Sequence, residues 1–151
     1  MPAAEPQRLR LDALDPKDLS MLQQQLQEEL QGLGSSTVAL QKVAGELGMS
    51  GAGVERLKDR KAGQQMLLPL TSSLYVNGTL DNVDTVLVEL GTGYYAEKSL
   101  TEAMDYFQRK LLLLRDELDK IGQAMSEKQR IHEQVVQVLR RKQQAAAPSK
   151  S

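Results

Sequence analysis

Neither cysteine nor tryptophan occurs anywhere in the 151 residues. The first absence excludes a disulfide framework, thiol nucleophiles and cysteine-based zinc sites, and it is compatible with a reducing compartment. Aromatic side chains are nearly missing too: Tyr75, Tyr94, Tyr95, Tyr106 and Phe107 are all of them. A thick globular core usually centres on several buried rings, so helices paired through Leu, Val, Met and Ala suit this composition better. Charge of one sign is also lacking. The formal net charge is −1, which implies neither a polyanion-binding surface nor an acidic tail. The apolar run Leu111–Leu114 falls far short of a membrane span. MPAAEPQRLRLDALD lacks the apolar stretch of a signal peptide. The expectation is a soluble cytosolic chain of one domain.

What is present is heptad periodicity. Residues 1–14 show no clear period and read as a flexible lead-in. Asp15-Pro16-Lys17-Asp18 then has the form of a helix start, with a capping residue, proline at the first helical position and an acid in the first turn. Leu19, Leu26, Leu33, Leu40, Leu47 and Val54 recur every seven residues, predicting a coiled-coil helix over 15–62. Gly45, Gly48, Gly51 and Gly53 weaken it and leave open a break into two helices. The unchanged heptad phase of Leu47 and Val54 favours one.

The second helix spans 99–144. Ser99 and Glu102 form a capping-box pattern. Met104, Leu111, Leu118, Met125, His132 and Leu139 make one seam row; Leu100, Phe107, Leu114, Ile121, Lys128 and Val135 make the other. Residues 145–151 read as a disordered tail. Each helix is about 45 residues, on the order of 65–70 Å. Folded back antiparallel, they place Leu22 near Leu139, Leu26 near Val135, and the polar intruders Glu29 and His132 opposite each other.

Between the helices, residues 66–98 change to a strand-like pattern. Leu68, Leu70, Leu74, Val76, Val86 and Val88 sit in short runs broken by turn residues. Two turns compete in the first half, Asn77-Gly78 and Thr71-Ser72-Ser73. About four short strands with open edges cannot form a stable sheet alone, so strands from other chains are expected. The fold class is α+β, mainly α: an antiparallel coiled-coil helical hairpin with two short β-hairpins at its base.

Candidate chemistry is sparse. Gly91-Thr92-Gly93 lacks the further glycine or lysine of a phosphate loop and reads as a hairpin turn. His132 is the only histidine, with no HxxxH or ExxH set around it, and reads as a polar seam layer. Asp116-Glu117 reads as a solvated face, and Arg140-Arg141-Lys142 as a helix end rather than a nucleic-acid patch. No catalytic, metal or cofactor site is expected, and no enzyme. The helix ends are richer. Leu11, Leu14, Leu19 and Leu22 come near Val135, Val136, Val138 and Leu139, more apolar residues than two seam positions can bury. Either an exposed strip results, which would bind something, or Leu11 and Leu14 fold over and cover it.

The layout resembles a known family. LLPLTSSLYVNGTL followed by VDTVLVELGTGYYAEKS, between two long helices, is similar to α-class prefoldin subunits of the subunit 5 type, over residues 16 to about 142. The resemblance is most specific at Pro69–Val76 and Val86–Lys98. It favours the Thr71–Ser73 turn, because relatives often carry proline where this chain has Asn77. It implies a heterohexameric co-chaperone of two α-class and four β-class subunits, in the cytoplasm and as a further compartment the nucleus. Such a complex holds unfolded proteins such as actin and tubulin at its coiled-coil tips. It delivers them, without ATP, to the cytosolic group II chaperonin. Leu68, Leu70, Leu74, Val76, Leu80, Val86 and Val88 would serve assembly with other α-class and β-class subunits. Leu14, Leu19, Leu22, Val135, Val138 and Leu139 would form the client-binding tip. Neither nucleic acid nor membrane is an expected partner. The alternative is a coiled-coil adaptor in a prefoldin-like regulatory complex.

Overall fold

A computed structural model describes residues 10–147. A 3-10 turn, Leu11–Ala13, leads into helix α1, Pro16–Leu57. Strands β1 (Gln65–Pro69), β2 (Tyr75–Thr79), β3 (Thr85–Gly91) and β4 (Tyr94–Ser99) follow, and helix α2 runs over Leu100–Ala146. The fold is α+β and mainly α, a pair of long antiparallel helices joined through two β-hairpins. The described residues fall into two units. One takes α1 up to Ala39 and α2 from Leu118, and the other spans Leu40–Glu117.

In the first unit the pairing is antiparallel because rising numbers on α1 meet falling numbers on α2. Leu19 and Leu26 share a core with Val135, Val138 and Leu139, Glu29 meets Lys128, and the Thr37 hydroxyl points at the Met125 sulfur, 3.8 Å away. The apolar layers expected near Leu22 and Leu26 are present. Glu29 and His132, expected opposite each other, do not hydrogen-bond. Glu29 turns one helical turn further, to Lys128 at 2.5 Å, and Nε2 of His132 is buried without a hydrogen-bond partner. The flexible lysine stem can follow the carboxylate to a half-exposed position, where both charges keep some water.

In the second unit Val54, Ala103, Phe107 and Val88 form the core, with Leu47, Val86, Leu100, Met104 and Tyr106 against it. Two helix faces and the inner face of β3 therefore share one apolar centre. The glycines at 45–53 do not break α1. Leu47 and Val54 are held by that core on either side of Gly48, Gly51 and Gly53, which outweighs the roughly 1 kcal/mol each glycine costs a helix.

The boundaries differ from the periodic reading at both helices. α1 stops at Leu57 rather than 62. Leu57 is the last seam residue, and Lys58-Asp59-Arg60-Lys61 has nothing to bury, so the chain tightens through Lys58 N to Glu55 O (3.2 Å) and Arg60 N to Leu57 O (3.0 Å). α2 continues through Ala146 into the expected tail, because Ala145 and Ala146, of the residue type with the strongest helix propensity, extend its last turn. The lead-in is structured from Leu11 on, for a reason that lies in the helix-end core. Residues 1–9 and 148–151, the rest of the expected lead-in and tail, lie outside the described residues.

The capping box closes as the spacing requires. Ser99 N donates to the Glu102 carboxylate at 3.1 Å, and Glu102 N donates to Ser99 Oγ at 3.2 Å. Because Ser99 also ends β4, strand passes to helix with no loop, which ties the second hairpin to α2.

Candidate assembly and client-binding surfaces

The first hairpin turns at Thr71–Ser73. Leu70 N donates to Leu74 O at 2.8 Å, and Leu74 N to Thr71 Oγ1 at 3.0 Å. Asn77 and Gly78 lie inside β2, paired with Leu67 and Met66. The glycine leaves room for a neighbouring side chain. A Cβ on Gly78 would come within 2.8 Å of Leu68 Cδ1, which leans across it. The second hairpin turns on Thr92-Gly93, both at positive φ (48° and 80°), the geometry of a two-residue primed turn. Leu90 is an extra residue on β3, a bulge between the Glu89–Tyr95 and Gly91–Tyr94 pairs.

Each hairpin is a separate two-stranded sheet, β1 with β2 and β3 with β4. No residue of β1 or β2 is buried. Met66, Leu68 and Val76 line one face of that hairpin; Leu67, Pro69 and Tyr75 line the other. Of the residues the sequence assigns to assembly, Leu68, Leu70, Leu74 and Val76 are exposed and Leu80 is half-buried. The other two lie against the chain's own helices: Val88 is 3% exposed, and the half-buried Val86 packs against the same cluster. Strand alternation then aims Leu87 outward, at 72% exposure, with Tyr94 and Tyr95 also open. Sequence reasoning missed Leu67, Tyr75 and Leu87 as outward apolar positions. Period-two alternation marks Leu87 as opposite to Val86 and Val88, but which face the helices cover is a tertiary fact. An open groove of about 660 Å³ runs beside β3, with Leu47, Val54, Leu57, Val86 and Leu87 in its lining.

Among the described residues, the leucines and valines at the paired helix ends form no exposed strip, and Met21 beside them is open to water. Leu19 and Val135 are fully buried, Val138 and Leu139 nearly so, and Leu14 and Leu22 half-buried. Leu11 and Leu14 pack over this cluster, which is the covering arrangement. Lys142 Nζ fixes the turn, donating to the carbonyls of Asp12 (2.7 Å) and Leu14 (2.6 Å). Arg141 lies 3.6 Å from the Asp12 carboxylate. Further along, hydrogen bonds from Lys128 and then Gln25 hold the Glu29 carboxyl below its ordinary range, while desolvation works against them. Arg130 does the same for Glu127 on an exposed face.

The sequence profile of the prefoldin subunit family matches residues 26–145. The chain belongs to the prefoldin family. Human prefoldin subunit 5 is 35% identical to it, over 90% of this chain and 88% of that protein. Prefoldin subunit 5 of Arabidopsis thaliana is 39% identical, over 78% and 73%. A filamentous prefoldin from Methanocaldococcus jannaschii shares the fold at a TM-score of 0.68 and 23% identity, covering 78% of this chain and 97% of that one. The chain is thus a prefoldin co-chaperone subunit of the subunit 5 type, in a family of chaperones rather than enzymes. Other prefoldin subunits are its partners. Among the described residues no helix is long and apolar enough to cross a membrane.

Proposed function

We propose that this prefoldin subunit completes shared β-sheets with α-class and β-class neighbours in a heterohexamer. The paired helix ends hold unfolded proteins, actin and tubulin among them, and release them to the cytosolic group II chaperonin without ATP. The complex works in the cytoplasm, with the nucleus as a further compartment, and binds neither nucleic acid nor membrane. One observation carries the assembly half: two separate two-stranded sheets keep their outer edges unpaired while Leu67, Leu74 and Leu87 stay open to water. The client half is supported by the dense aliphatic cluster at the helix ends. A few leucines and valines bind an unfolded segment weakly, at about 25 cal/mol per Å² buried. Several such ends on one complex raise the effective concentration and still permit release.

The adaptor reading is favoured by one feature, the closure of that cluster under Leu11 and Leu14. Site-specific crosslinking separates the two. A photoactivatable group in place of Leu22 should trap unfolded actin in the assembled complex, whereas one in place of Leu87 should trap neighbouring subunits. A Leu22 position that traps no actin, whether Leu11 and Leu14 cover the cluster or are replaced, leaves the adaptor reading alone standing.

A further inference from the structure

Residues Arg10–Leu14 form a strap whose two large apolar side chains are the ones that pack. Leu11 and Leu14 lie three apart, and a 3-10 turn aligns positions i and i+3 on one side. Both pack on the Leu19, Val135, Val138 and Leu139 cluster, while Asp12 and Ala13 face water. The remaining attachments are electrostatic: Lys142 on the Asp12 and Leu14 carbonyls, and Arg141 near the Asp12 carboxylate. Shallow grooves border the strap on two sides, one lined by Leu11, Gln134 and Val138, the other by Leu14, Met21 and Leu22. Two half-buried leucines and a few polar contacts are set against the conformational freedom of a five-residue segment, which is the make-up of a segment that opens locally.

We propose that Arg10–Leu14 is an intramolecular stand-in for a client, which must be displaced before the helix-end cluster takes an unfolded apolar segment. The inference rests on the client-holding reading and deepens it. The favoured client segment shares the strap's chemistry: two aliphatic residues three apart with an acidic residue between them, matched to a cluster rimmed by Arg141 and Lys142. A surface whose competent state is only partly populated binds with its affinity reduced by that fraction, so the strap sets both retention and release.

The test uses the complex assembled with its partner subunits. Leu11→Ser/Leu14→Ser should raise binding of the apolar dye anilinonaphthalene sulfonate. It should also increase actin trapping from a photoactivatable group at position 22, on the order of 3- to 10-fold for a closed state holding most of the population. Lys142→Ala, which leaves every leucine in place, should shift both readouts the same way by less. Circular dichroism should report unchanged helix content in both variants. Trapping in the unaltered complex that does not increase in either variant overturns the strap inference and leaves the client-holding reading intact. Trapping in none of the three removes the client-holding reading and the strap inference with it.

Discussion

Lys128 reaches across the paired helices to the Glu29 carboxylate at 2.5 Å, although His132 stands one turn away on the same helix. Both side chains of the pair are about one-third exposed (35% and 36%), so the contact fixes register more than it adds stability. The nitrogen it leaves behind, Nε2 of His132, is buried and unpartnered.

The Glu29 carboxyl has a depressed pKa, so its contribution to stability is fully present above the unfolded value of about 4.3. It is lost as pH falls through the lower folded value. Thermal unfolding of Glu29→Gln followed by circular dichroism should therefore show a shallower loss of stability below about pH 4.3 than the unaltered chain. Parallel pH profiles for the two would contradict the assignment.

Replacing His132 with leucine should stabilise the helix pair by about 1 kcal/mol, because it removes a buried polar atom without a partner and extends the apolar seam. A rise in the urea midpoint at unchanged slope is the expected result. A fall would mean that His132 has a partner in solution.

Gly48 and Gly53 lie inside α1 with nothing within 4 Å of an added Cβ. Alanine at either should raise stability by roughly 0.5–1 kcal/mol in urea unfolding, adding nearly independently if the helix is continuous there. A loss of stability would show that the loosened segment is needed in the native state.

Aspartate at Leu74 and Leu87 should abolish co-purification with partner subunits while helix content stays constant, since both side chains are more than half exposed. Aspartate at Val88, which is 3% exposed beside Val54 and Phe107, should instead unfold the second unit. Persistent assembly of the first variant would refute the interface, and a well-folded Val88→Asp would refute the core.

The amino-acid sequence by itself determined the periodic parts. The seven-residue repeat from Leu19 to Val54 sets α1, the Ser99–Glu102 spacing starts α2, and positive-φ demand at Gly93 makes the second hairpin turn, because each depends on neighbours a few residues away. Family membership was legible in the same way, in the two strand segments. Only the tertiary structure decided what depends on residues far apart. Asn77-Gly78 has the local chemistry of a turn, yet pairing with Leu67 and Met66 holds it in a strand. Val86 and Val88 share the hydropathy of Leu87, and only the helices' choice of face separates the packed side chains from the exposed one. Leu11 and Leu14 have no period to announce them; they fold because a cluster that includes Val135, Val138 and Leu139, at the far end of the chain, needs cover. Local propensity is written in adjacent residues, whereas burial is a property of the surface another segment leaves unfilled.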